Sequence, residues 1–220
     1  MTSISKENYL KLIYAHKQRS NKSVTTSVLA HDLEVSNAAT SEMAKKLYSS
    51  GLVTYKKYKG LELTQEGEKI ALHVVRRHRL WELFLMKVLK LSWAEVHNEA
   101  ERLEHISSEK LIDRIDEYLE YPILDPHGEP IPSKEGIMPK VPKSIKLSEG
   151  KIGTIYELIK VDDTVSDLVM YLNKVGIELN KKILIVEKFQ FDNSVVIKFE
   201  RKELSLSDKV AQHLFIVKSK

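Results

Sequence analysis

The 220-residue sequence contains no cysteine. That absence excludes a disulfide framework, a zinc ribbon, an iron–sulfur cluster and a cysteine nucleophile, and it leaves any metal to His, carboxylate or amide ligands. Glycine and proline are scarce, at 8 and 6 residues against 42% hydrophobic residues, which rules out a collagen-like fibre and an intrinsically disordered chain. No stretch approaches the ~18 apolar residues of a membrane span. The start, MTSISKENYLKLIY, also lacks the apolar region of a secretion signal, so the expectation is a soluble cytoplasmic protein with no membrane partner. A Gly-rich phosphate loop, Gly-x-Ser-x-Gly and His-Glu-x-x-His are all missing. No obvious general base is left over beside the candidate ligands below, so an enzyme is not expected.

A formal charge of +4 says little by its sum, but its distribution is informative. Residues 1–64 carry 10 Lys/Arg against 5 Asp/Glu, whereas residues 65–120 carry 9 against 12. A basic front suits phosphate, and an acidic middle suits a cation.

Apolar spacing predicts a helix over 4–18 with Ile4, Leu10, Leu12, Ile13 and Tyr14 inward, and a short helix with Val28, Leu29 and Leu33 inward, capped by Thr25 or Thr26. After a turn at Glu34–Ser36, a further helix places Ala39, Met43 and Leu47 on one face and stops at Gly51. Two short helices around a tight turn form a helix-turn-helix. The alternating LVTYKKYKGLELT then adds a hairpin, making the unit winged. A long helix is expected over Thr64–Leu91. Another should start at Trp93, behind a Ser92–Glu95 capping box, and run to about His105, and one more covers SSEKLIDRIDEYLEY. Pro122–Pro142 holds all six prolines and reads as a linker or ordered loop. Beyond it, GTIYELIKV, KKILIVEKF, SVVIKFE and HLFIVKS read as strands of a small barrel, with a helical stretch near Val165–Val175 and turns at Asp192–Asn193 and Ser205–Asp208. The chain is thus mainly α with α+β parts, divided into residues 1–64, 65–142 and 143–220.

At 100° per residue, His97, Glu101, Glu104 and His105 span about one third of a helix circumference, and the preceding helix offers His78 and Glu82 at i and i+4. Imidazoles and carboxylates on one stripe suit a divalent cation. A single His-x-x-x-Glu pair also fits a solvated face, but acidic stripes on two packed helices repel unless protons or a cation neutralise them. Asp125-Pro-His127-Gly128 is composed of turn formers and carries little weight alone.

For double-stranded DNA, the candidates are Thr25 and Thr26 at the first short helix, and Ser36, Asn37, Ala38, Ala39, Thr40, Ser41 and Glu42 at the start of the second, where base edges are read. Lys45 and Lys46 suit phosphates, and Lys56, Lys57, Tyr58 and Lys59 form a basic wing tip. Two other readings stay open: a metal-binding hydrolase or storage protein, and a winged-helix regulator answering to a non-metal ligand.

With these motifs in order, the chain resembles the metal-dependent repressors of the diphtheria toxin repressor and manganese transport regulator family. The likeness is carried by Glu7-Asn8-Tyr9-Leu10, Lys59-Gly60 to Leu63-Thr64 with Gly67, Arg77-His78-Arg79-Leu80 with Glu82, Glu101-x-x-Glu104-His105, and Asp125-Pro-His127-Gly128 with Ile131-Pro132. The resemblance implies a homodimeric winged-helix repressor of metal-uptake genes that binds a palindromic operator. It further implies a helical dimerisation and metal-binding domain, a C-terminal SH3-like domain related to the ferrous transport protein FeoA, and Mn(II), or Fe(II), as corepressor. Carried over by position, one metal site would use Asn8, Glu101, Glu104 and His105, with His78 nearby or shared. The other would use His78, Glu82 and His97 or, as in the longer manganese-sensing members, Glu82, Asp125, His127 and Asp163. The chain departs from the family at Asn8, where the manganese regulators usually have aspartate, and at Lys11, where the short ones have a second acid. Asp125 stands where some members place cysteine, which favours an oxygen-seeking ion.

Overall fold

A computed structural model describes residues 4–56, 60–93, 95–162, 166–200 and 202–219. The chain forms two compact units, one of residues 1–78, 101–114 and 132–138, the other of residues 79–100, 115–131 and 139–220. Among the described residues, no helix is long and apolar enough to cross a membrane.

The first unit opens with α1 (Ile4–Ser20), α2 (Thr26–Asp32) and α3 (Asn37–Ser49). Thr25 caps α2 by accepting from the Val28 amide at 3.3 Å, and Ser36 caps α3 by accepting from the Ala39 amide at 3.2 Å. Each cap contributes about 1 kcal/mol. The inward face of α3 is Thr40, Ala44 and Leu47 with Met43 packed beside them; of the expected Ala39, Met43 and Leu47, only Ala39 faces outward. Spacing of four then three follows the 3.6-residue period more closely, and the hydroxyl of Thr40 is satisfied inside by the Tyr9 hydroxyl at 3.0 Å. On α1, Leu10, Ile13 and Tyr14 are buried as expected, with Glu7 and Tyr9 added, while Ile4 is exposed.

Gly51, at φ +69°, ends this run, and β1 (Val53–Lys56) pairs antiparallel with β2 (Gly60–Leu63) in the register Val53↔Leu63. Val24 adds reciprocal backbone bonds to Leu61 at 3.1 and 2.8 Å. The long helix α4 (Gln65–Lys87) follows. A Cβ on Gly67 would stand 1.9 Å from the Leu52 carbonyl oxygen, so only glycine lets the first turn of α4 approach the wing this closely. Leu10, Leu29, Leu47 and Leu61 are buried together here with the α4 residues Ala71 and Val75. Each fully buried leucine is worth roughly 1.5–3 kcal/mol.

Next come α5 (Val96–Leu103) and α6 (Glu109–Tyr118). The expected start of α5 at Trp93 is corrected to Val96. Glu95 Oε2 does accept from the Ser92 amide at 2.8 Å and from its hydroxyl at 2.5 Å, but that bonding closes one turn ahead of the helix. The second unit ends in a six-stranded antiparallel sheet of β3 (Ile145–Lys146), β4 (Ile155–Val161), β5 (Lys182–Lys188), β6 (Val195–Phe199), β7 (Lys202–Leu206) and β8 (Leu214–Lys218), in the order β3-β8-β4-β5-β6-β7. Register shifts at Leu158/Lys160 and Ile185/Glu187 are bulges that bend their strands, as a small SH3-like sheet requires. Alternating residues such as Tyr156, Leu158, Ile183, Ile185, Ile197 and Ile216 pack with Leu168 and Leu172 of α7 (Ser166–Val175) and Ala211 of α8 (Asp208–Ala211). The turn expected over Ser205–Asp208 is corrected in part: β7 continues through Leu206, which is buried, and Ser207 then caps α8 by accepting from the Val210 amide at 3.3 Å. Chemically, the leading Lys-Glu of this edge strand hides its alternation.

Candidate functional site

In the first unit, α1 faces the end of α5 and the turn beyond it, because Glu104 and His105 follow Leu103 out of the helix. Glu101, Glu104 and His105 each direct one ligand atom to within 4.8 Å of the others. Glu104 is wholly buried. Its Oε2 lies 2.6 Å from His78 Nδ1 and accepts from the Lys11 ammonium at 2.8 Å. The same ammonium donates to Glu101 Oε1 at 2.6 Å and stands 3.2 Å from His78 Nδ1. Burial works against the charge of Lys11, but the carboxylates of Glu104 and Glu101 outweigh it and hold the amine above the ordinary lysine value.

Behind this cluster, Glu7 Oε2 lies 2.7 Å from His105 Nδ1 and 3.2 Å from the Arg77 guanidinium. A carboxylate on Nδ1–H leaves Nε2 as the lone-pair nitrogen and orients the ring as a ligand. That Nε2 sits 3.1 Å from Glu104 Oε1. Neither atom makes a hydrogen bond among the described residues, and the same is true of the buried Asn8 Oδ1. Two buried acceptors face to face are costly unless a proton or a cation lies against both. Glu104 and His105 therefore fit a hard divalent ion, and Asn8, next in sequence to Glu7, offers a buried amide oxygen as a further donor.

The second unit holds another cluster. Glu82, Asp125 and His127, all buried, bring one ligand atom each within 4.8 Å of one another. Glu82 Oε1 is 3.2 Å from His97 Nδ1, and its Oε2 is 3.7 Å from His127 Nδ1. The proline-rich loop is firmly built. Asp125 Oδ1 accepts from the amides of His127 at 2.8 Å and Glu129 at 2.9 Å, leaving Oδ2 directed to the cluster and 3.5 Å from Arg79 Nε. Glu129 pairs with Arg79 at 3.2 Å and with Lys160 at 2.8 Å, and the His127 carbonyl accepts from the Val161 amide at 2.9 Å. Gly128 has φ +84°, and a Cβ there would lie 1.9 Å from the Ile159 carbonyl oxygen, so the loop meets β4 through a glycine. Trp93 stacks on the His127 ring at 5.4 Å and 18°.

Within the second unit Glu82 lies with Asp125, His127 and His97, and within the first His78 lies against Glu104. Asp163 lies outside the described residues, as do Lys57, Tyr58, Lys59 and the side chain of Lys56. On the helix-turn-helix, Ser36, Asn37, Ala38, Ala39, Ser41, Glu42, Lys45 and Lys46 are exposed, Thr25 is exposed and Thr26 half-buried. Thr40 is fully buried instead, so it joins α3 to α1 and has no outward face. Sequence reasoning gave no site role to Glu7 with Arg77 or to Trp93, and it noted Lys11 only as a departure from the family's acid. Lys11 lies one turn after Asn8, and that spacing was the available signal.

Comparison with known proteins agrees along the chain. The iron dependent repressor N-terminal DNA binding domain matches residues 1–61, the iron dependent repressor metal binding and dimerisation domain residues 64–133, and the FeoA domain residues 145–218. The iron-dependent repressor IdeR of Mycobacterium bovis is 36% identical over 126 residues, 57% of this chain and 54% of that protein, so the chain matches about half the length of this relative. The diphtheria toxin repressor of Corynebacterium efficiens is 29% identical over 224 residues, 96% of this chain and 94% of that protein. Among solved structures, a manganese-dependent transcriptional repressor in complex with manganese has a TM-score of 0.91 at 33% identity, covering 97% of this chain and 100% of that one. ScaR with bound Cd2+ gives 0.84 at 34% identity, covering 97% and 99%. With a DNA-binding domain, a metal binding and dimerisation domain and a FeoA domain in that order, the chain belongs to the iron-dependent repressor family.

Proposed function

We propose that the chain is a cytoplasmic, homodimeric, metal-dependent transcriptional repressor, not an enzyme, which controls metal-uptake genes through a palindromic operator with Mn(II), or Fe(II), as corepressor. The single observation that carries this reading is the buried approach of Glu104 Oε1 to His105 Nε2 at 3.1 Å, with Glu7 on the far side of the imidazole. Residues 1–64 form the DNA-binding part, residues 65–142 the dimerising and metal-binding part, and residues 143–220 the SH3-like part.

Asn8, Glu104 and His105, with Glu101 and His78 beside them, form one metal site, and Glu82, His97, Asp125, His127 and Asp163 form the other. Oxygen and imidazole donors with no thiolate suit manganese, and the names of the relatives point to manganese or iron. When bound, the ion supplies the positive charge that neutralises facing carboxylates and imidazole lone pairs. Asn8 then ties α1, and through it the winged helices, to the Glu101–His105 segment. Two recognition helices, one from each protomer, enter successive major grooves, with Ser36, Asn37, Ala38, Ala39, Ser41 and Glu42 at the base edges and Lys45, Lys46 and the wing residues at phosphates. A calorimetric titration of the full chain with Mn2+ tests the reading: it predicts stoichiometric binding that Glu104→Ala weakens. No binding, or binding indifferent to Glu104→Ala, would contradict it.

A further inference from the structure

We propose that Lys11 is a resident cation of the Glu101–Glu104–His105 cluster, so that this cluster takes one divalent ion and not two; the inference rests on the metal reading above. The ammonium nitrogen lies 2.6 Å from Glu101 Oε1, 2.8 Å from Glu104 Oε2 and 3.2 Å from His78 Nδ1. Two carboxylates and an imidazole nitrogen, all of which touch one point, are a donor set that a divalent ion would take at about 2.0–2.3 Å. The ammonium stands at that point. It has the same sign of charge as the ion and it is tethered, so its effective concentration there does not fall when free metal is withdrawn.

The two oxygens of Glu104 have different partners. Glu104 uses Oε2 for Lys11 and His78, while its Oε1 is turned to His105 Nε2 at 3.1 Å, and Asn8 Oδ1 is buried one turn before Lys11 on α1. Glu104 is thus divided atom by atom between an ammonium and an ion. The charges agree with the division: Glu101 and Glu104 against Lys11 leave one net negative charge, which one divalent ion overcompensates modestly and two would not match. The ammonium also fastens α1 to Glu101 and Glu104 with no metal present. Among residues of α1, the part of the linkage that answers to metal is therefore carried by Asn8, one turn away.

The test counts ions on the full-length protein. At saturating Mn2+, equilibrium dialysis gives the number bound per protomer, and electron paramagnetic resonance separates isolated ions from an exchange-coupled pair in one cluster. The wild type should show only uncoupled Mn2+. Lys11→Glu, which exchanges the ammonium for a carboxylate, should add one ion per protomer and a coupled-pair signal. Lys11→Met, which removes the charge without adding a ligand, should also add an ion, with weaker binding, and serves if the glutamate variant does not fold by circular dichroism. A coupled pair in the wild type, or an unchanged count in a folded Lys11 variant, would overturn the inference while leaving the metal reading standing. A count that Glu104→Gln does not lower would overturn both.

Discussion

Replacing Glu104 by glutamine keeps the side-chain shape and removes its charge from a position with 0% exposure, where its Oε2 holds the Lys11 ammonium at 2.8 Å. Removing one partner of a buried ion pair costs about 3–5 kcal/mol, because the other charge is left uncompensated. Lys11 keeps Glu101 at 2.6 Å, but that carboxylate is 40% exposed and screened, and Lys11 itself is 19% exposed. The expected loss is therefore nearer 2–3 kcal/mol, at about the lower edge of that range. For a chain of this size, that lowers the melting temperature by roughly 4–12 °C. The assay is urea and thermal denaturation in chelator, so that no metal contributes. Lys11→Met alone leaves two glutamates facing each other and should cost a similar amount. The double variant Glu104→Gln/Lys11→Met should then be no worse than the poorer single variant, a coupling of about 2 kcal/mol or more. Losses that add to within about 0.5 kcal/mol would refute the reasoning, since independent effects mean that the ammonium and the carboxylate do not compensate each other.

Gly128→Ala forces a Cβ against the Ile159 carbonyl at a φ of +84° and should destabilise the second unit by roughly 3 kcal/mol; calorimetry should also show weakened metal binding at Asp125 and His127, and an unperturbed melt would contradict the packing argument. Asp113 is held below the ordinary carboxylate value of 3.8 by its hydrogen bond from Lys134, with Arg76 adding attraction. A depressed native pKa stabilises the fold above the unfolded value and loses that contribution as pH falls through the native one. Asp113→Asn should therefore be less stable than wild type at pH 6, and the difference should vanish as pH falls through the depressed native value. Lys45→Ala, at an exposed position on α3, should weaken binding to specific and unspecific duplexes alike and reduce the salt slope by about 1; loss confined to one sequence would mean that Lys45 reads bases.

Much of the fold is legible because periodicity and caps agree. Thr25 and Ser36 start α2 and α3 where hydroxyl caps are needed, and four of the sheet strands follow from alternation. β7 was not legible, because an edge strand led by Lys202 and Glu203 carries charges where a central strand carries valines. Thr40 reads as polar and outward, yet Tyr9, 31 residues away in sequence, satisfies its hydroxyl inside. The ligand stripe Glu101, Glu104 and His105 was visible from helical spacing, although Glu104 and His105 lie in the turn after α5 and not on its face. The grouping of Glu82 with Asp125 and His127 was not decidable from local pattern. It depends on a loop secured by Arg79, Lys160 and a glycine-sized gap under β4, all long-range contacts. Lys11 was legible only as a departure from the family's acid; what its ammonium touches was not, because a lysine on a helix is ordinarily solvated and only the fold brings Glu101 and Glu104 to it.

The central claim is that metal at these clusters controls DNA binding. Its most direct test is the affinity of the full-length protein for a palindromic duplex from upstream of a metal-uptake gene of its own genome, measured at one salt concentration in chelator and again with saturating Mn2+. Binding should be tighter with Mn2+ by roughly 5- to 150-fold, the range of ordinary allosteric coupling. Equal affinity in the two conditions would contradict it.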